Sequence, residues 1–305
     1  GVRRDAPNPT VPHYHGQAIP RRQEEESGWT ARPPRRRKDW KCGRLRSRST
    51  PPERALGMVP LRPDYGHGVY RRRIRLRAED RQVRGRLVDD FHDLTVHLVH
   101  DGVRVSKLEG ATRRIPWATC PQAALPLARL EGMPLTRSLR SIARHTDPRA
   151  QCTHLFDLAS LAVSFAAAGE AERRYEVAVP DREGTRTLAS LDRNGVPLLR
   201  WQIDGARIED PSPFAGRSLG GGFVEWAEST LDVELAEAAQ VLRRAAAISF
   251  GRRFDFDRVP DARTFQGQAG GACFTFQPAR VAQGLRLMGN VRDWSAQLPE
   301  TEGSL

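Results

Sequence analysis

"HDLTVHLVHDG" (residues 92–102) and "VRVSKLEGATRRIP" (103–116) decide how this chain folds. In the first stretch Leu94, Val96 and Leu98 alternate with Thr95, His97 and Val99, the period of a half-buried strand. Asp101-Gly102 is a hairpin dipeptide, because glycine supplies the positive φ that a tight turn needs, so the second stretch returns antiparallel to the first. Working outward, "GVYRRRIRLRA" (68–78) and "QVRGRLVDD" (82–90) complete an antiparallel meander. Helices are predicted over about 120–130, 136–145 and 153–168. A second meander follows in 173–180, 185–193 and 196–204, with Asn194-Gly195 as a hairpin turn. A C-terminal helix pair spans 220–230 and 232–252, where Leu235, Ala238, Ala239, Leu242 and Ala246 recur at helical spacing. Residues 253–305, rich in Gly, Pro and Gln, read as a wrapping segment. Strands and then helices, twice over, with hairpin connections, predict an α+β fold.

The 305-residue chain carries a formal net charge of +12, which raises the question of nucleic acid. The charge is uneven. Residues 1–57 hold 14 of the 49 Lys and Arg but 6 of the 37 Asp and Glu, together with 8 of the 22 prolines. That stretch has no periodic apolar pattern and cannot offset its ordering entropy. Residues 1–65 are therefore predicted to be a disordered Arg/Pro-rich tail, and 66–305 a single α+β domain. Three readings of 1–57 stand open: an arm for acidic partners, a tail with no role, or, given three lysines against 46 arginines and "MVPLRPDYGHGVY" beginning at Met58, translated sequence upstream of a native start near Met58. The body is only mildly basic, and nucleic acid is not the expected partner. No apolar run is long enough to span a membrane. Four cysteines without a regular framework suggest reduced thiols and a cytoplasmic setting.

Chemistry-bearing residues gather at two predicted helix entrances. Cys120 follows Pro116-Trp117 and lies off the apolar stripe; Cys152, His154 and Asp157 open the helix beginning at 153. Thiolate and imidazole are ligands that zinc, iron or iron–sulfur clusters choose. The inert alternative is buried structural cysteine. A helix N-terminus stabilises a thiolate, which favours function. His92, with Asp89 and Asp90 at a strand start, and His97 are further candidates; His97 reads as a surface or core residue. Asp157 is placed to orient His154 from behind, or else is an acid at a positive helix end. Gly220-Gly221-Gly222 precedes a helix, where bare N–H groups can hold phosphate. Lacking the Lys and Ser/Thr of a P-loop, it reads first as a tight turn that lets the helix pack closely. Cys273 reads as a core residue of a closing strand.

The block "GRLVDDFHDLTVHLVHDG…RRIPWATCPQAALPLARLEGMPL…CTHLFDLASLA…GGGFVEWAE…CFTFQP", over about 66–297, resembles a bacterial domain-of-unknown-function family, number twenty-eight eighty-nine of the DUF series. That resemblance implies no activity. Residues 94–166 are also faintly similar to iron–sulfur assembly scaffolds of the NifU/IscU type, with a strand leading into Cys120 and "QCTHLFDLASLA" standing where a His-Cys helix would begin. This second resemblance implies a NifU/IscU-like core and a site of Cys120, Cys152 and His154, with Asp90 or His92 where the scaffold has its first cysteine. The expected cargo is zinc, iron or an iron–sulfur cluster, and the expected role that of a carrier or accessory factor for an unknown protein or small-molecule partner. The alternative is an enzyme using a Cys/His pair, or an open metal position, on an acyl or thioester substrate.

Overall fold

The computed structural model describes residues 59–265 and 271–299. The tail prediction falls mostly on 1–58, outside the described residues. Residues 59–65, grouped with it, are part of the packed body: Val59 is buried and Leu61 bridges Phe254.

Both meanders form, and they join into one sheet. The first contains β1 (Val69–Glu79), β2 (Gln82–Asp89), β3 (Asp93–His100) and β4 (Val105–Arg114). The second contains β5 (Glu172–Pro180), β6 (Arg186–Arg193), β7 (Val196–Asp204) and a short β8 (Arg207–Asp210). The order is β4-β3-β2-β1-β5-β6-β7-β8, antiparallel throughout. β1 and β5 meet along a register from Val69↔Pro180 to Arg77↔Glu172. Asn194 and Gly195 both take positive φ, as the β6–β7 hairpin requires.

The helices cover one face. α1 (Leu139–His145) is capped by Ser138, whose side chain accepts from Ser141 N. α2 (Thr153–Ala168) is buried nearly all round, lies over β1–β4 and ends at Gly169 in the left-handed conformation. Gly85 of β2 lets α2 approach: a Cβ there would meet Val96 at 2.9 Å and Leu158 of α2 at 3.3 Å. α3 (Phe223–Thr230) and α4 (Val233–Ser249) follow the second meander, and α4 lies over β5–β7. Side chains join Asp157 to Arg244 and Ser164 to Glu237, so α2 and α4 run antiparallel. The helix predicted over 120–130 is instead a 3-10 helix, Cys120–Leu130. Pro126, inside the helix, removes an amide donor that an α-helix would use.

The opposite face carries the odd-numbered arginines of β1. There the C-terminal stretch crosses the sheet: Arg71 Nε donates to Ser295 O (3.0 Å) and Arg73 to Pro299 O (3.0 Å). The rest of the described C-terminal region wraps as predicted, but without a closing strand, and Cys273 lies in a turn. Among the described residues, no helix is long and apolar enough to cross a membrane.

Candidate functional site

The β2–β3 connection, Asp89-Asp90-Phe91-His92, folds back on a carboxylate. Asp89 Oδ1 accepts from Phe91 N (2.8 Å), His92 N (2.7 Å) and His92 Nδ1 (3.0 Å). Asp89 Oδ2 accepts from Tyr70 OH (2.7 Å) and from Arg72 Nη2 (2.7 Å) and Nε (3.1 Å). Burial alone would raise the Asp89 carboxyl, but His92 and Arg72 hold it well below the usual range. It is therefore an anion that only accepts, so Nδ1 of His92 carries a hydrogen directed at it. Arg114 clamps the turn from outside, donating to Asp90 O (2.7 Å) and His92 O (2.9 Å).

α2 brings His154 onto this turn. The two imidazoles stack with centroids 3.9 Å apart and planes 30° from parallel. His154 is buried, and its Nε2 has no hydrogen-bond partner. Burial first, then the nearby His92 and Arg72, pushes its pKa well below the ordinary value. His154 is thus neutral. Among the described residues, Asp89, His92 and His154 form the one group of three or more potential metal ligands whose atoms lie within 4.8 Å of one another.

Both rings line an aromatic cleft of about 410 Å³. Its walls come from Phe91, Trp117 and four phenylalanines of the C-terminal wrap, Phe254, Phe256, Phe265 and Phe276, in edge-to-face and tilted contacts. Composition and pattern reading missed this wall. Its signal was a density of Phe in "FGRRFDFDRVPDARTF" (250–265) that no strand or helix period explains.

The predicted ligands separate. His92 and His154 meet, as expected, but around Asp89 rather than Asp90. Asp90 is buried and pairs with Arg252, which also holds Asp181 at 2.7 Å. Burial, opposed by Arg252, lifts the Asp90 carboxyl to about 7. Asp157 does not back His154; it bonds Arg244 at 2.6 Å. Cys120 and Cys152 stand outside the histidine group. Both are free thiols, as is Cys273, and Cys120 Sγ contacts Thr275 Oγ1 at 3.7 Å. The helix-entrance argument for thiolates fails on magnitude. Burial lifts Cys120 to about 11 and moves Cys152 up as well, with no cation close enough to reverse it. His97 is a partly exposed surface residue bonded to Gln82.

A base whose folded pKa lies below its unfolded value binds fewer protons when folded. Stability is therefore expected to fall as the pH drops below about 6.5, the ordinary histidine value, by up to about 1.4 kcal/mol per pH unit from His154 alone. His154→Asn should flatten the urea midpoint between about pH 6.5 and 5 relative to the wild type. Parallel pH profiles would show that His154 takes up its proton without unfolding.

Residues 72–167 match the model of a family described as "Protein of unknown function (DUF2889)". No curated protein and no solved structure matches the chain, so the likeness to iron–sulfur scaffolds gains no support from a known fold.

Proposed function

Residues 72–167 carry the domain of the DUF2889 family, whose description assigns no activity, and from the site alone we propose that the protein is an enzyme that moves a proton on an apolar, ring-bearing small molecule. The supporting observation is the buried, unpartnered Nε2 of His154, stacked on a carboxylate-supported His92 in an aromatic cleft. A buried polar atom without a partner calls for one from outside. In this reading His92 Nε2 takes the proton, and the imidazolium so formed is stabilised by Asp89 across the Nδ1 bond. Neutral His154 holds a polar group of the substrate, and the aromatic wall holds its ring. A cleft of this size suits a small molecule rather than a chain.

A second reading rests on the same three residues: a divalent zinc or iron held by His92 and His154, with Asp89 beside it. Against it, both Asp89 oxygens are already taken by protein donors, so a metal would have to displace them. Carbethoxylation of histidines by diethyl pyrocarbonate, mapped by mass spectrometry, tests the first reading. His92 should react, and 2-naphthol should protect it. Phe254→Ala should abolish the protection. Reaction unaffected by 2-naphthol would sink the proposal. About one zinc or iron per chain, lost in His154→Ala, would put the metal reading in its place.

A further inference from the structure

A second cleft, of about 470 Å³, opens between α1, α2, α3 and α4. We propose that it binds the phosphate groups of a phosphorylated small molecule. The cleft is lined by five arginines, Arg72, Arg140, Arg144, Arg243 and Arg244, against two acids, Asp157 and Glu225. Arg72 is committed to Asp89, and Asp157 to Arg244. Arg140 and Arg144, one turn apart on α1, are both exposed, and neither guanidinium is in an ion pair among the described residues, although the Arg140 backbone N donates to Glu228 Oε1 (2.9 Å). The cation excess is thus carried by groups free to close on a ligand.

The Gly220-Gly221-Gly222 stretch forms one wall. Gly222 is the N-cap of α3 at φ +80°, and no side chain caps the helix. A Cβ at Gly221 or Gly222 would meet nothing within 4 Å, so the backbone there faces open space. First-turn amides of a helix carry partial positive charge and bind anions well.

An independent observation points to a ligand. Ser160, on α2, lines the same cleft, is 5% exposed, and its hydroxyl has no hydrogen-bond partner. A phosphate oxygen would accept from the hydroxyl, while the α3 amides and Arg140 and Arg144 neutralise the charge. The volume exceeds that of one phosphate, so the ligand carries a further moiety. Its lining shares no residue with the aromatic cleft, although Arg72 also bonds Asp89, and it does not depend on the function proposed there.

Isothermal titration of the full chain with pyrophosphate at low ionic strength tests the assignment. Saturable binding is expected, weakening as NaCl is added. The double variant Arg140→Ala/Arg144→Ala changes only exposed side chains and should lose at least about tenfold in affinity. Ser160→Ala should lose about three- to tenfold, the worth of one hydrogen bond. Glu109→Gln, on the open face of the sheet, should bind as the wild type does. No saturable heat at millimolar pyrophosphate would overturn the proposal. So would equal affinity in the double variant.

Discussion

Asp89→Ala is expected to lower folding stability by about 3–5 kcal/mol, because removing one partner of a buried ion pair strands the other. Arg72 is 1% exposed and Asp89 is fully buried. Without the carboxylate, the Arg72 guanidinium, the Tyr70 hydroxyl and the Phe91 and His92 amides all lose an acceptor at once. Asp89→Asn keeps one carbonyl oxygen and should cost less. The sharper control is Arg72→Met/Asp89→Leu. Replacing a buried pair by apolar side chains is often neutral, so the double variant should recover much of the loss despite the stranded Tyr70 and His92. Urea midpoints for the four proteins measure this. A loss under about 1 kcal/mol for Asp89→Ala would mean that Arg72 finds water, and that the site is wetter than its burial implies.

Glu237→Ala should cost a comparable 3–5 kcal/mol, for a structural reason rather than one linked to the histidines. Glu237 reaches down from α4 to the sheet. It accepts from Tyr175 OH (2.6 Å), from Arg173, which is 1% exposed, and from the Ser164 hydroxyl on α2. One side chain thus ties α4, α2 and β5 together. Glu237→Gln retains an acceptor and shape but leaves Arg173 with Glu170 as its one remaining carboxylate, and should cost less than Glu237→Ala. By contrast, Lys107–Glu109 joins two exposed side chains on the open face, and Glu109→Gln should change stability by no more than about 1 kcal/mol. If Glu237→Ala proves as mild as Glu109→Gln, the cluster does not anchor α4.

The backbone architecture was legible where period and turn chemistry agreed. Leu94, Val96 and Leu98 all turn into the core, and the predicted bounds of α2 match residue for residue. What escaped was short or non-local. β8 has four residues, too few for a period to show. The union of the two meanders depends on pairing β1 with a strand about a hundred residues away, which no local pattern encodes. The site was half legible. His92 and His154 stood out as imidazoles at element boundaries, yet their partner was chosen by geometry. Adjacent residues leave a strand end in different directions, so Asp89 turned to His92 and Asp90 to Arg252. The cysteines attracted attention through their chemistry. Burial decides whether that chemistry is expressed, and burial was not visible in the spacing of Cys120 and Cys152.

The seam between β1 and β5 governs which parts of the chain can exist apart. The stretch that matches the family, 72–167, ends before β5 begins. Cut there, β1 becomes a long edge with unpaired amides and carbonyls, a template for any strand that can lie antiparallel to it. A second copy of β1 is such a strand. In the whole chain β5 occupies that edge from Val69 to Arg77, so the second meander acts as a built-in stop against self-assembly of the first.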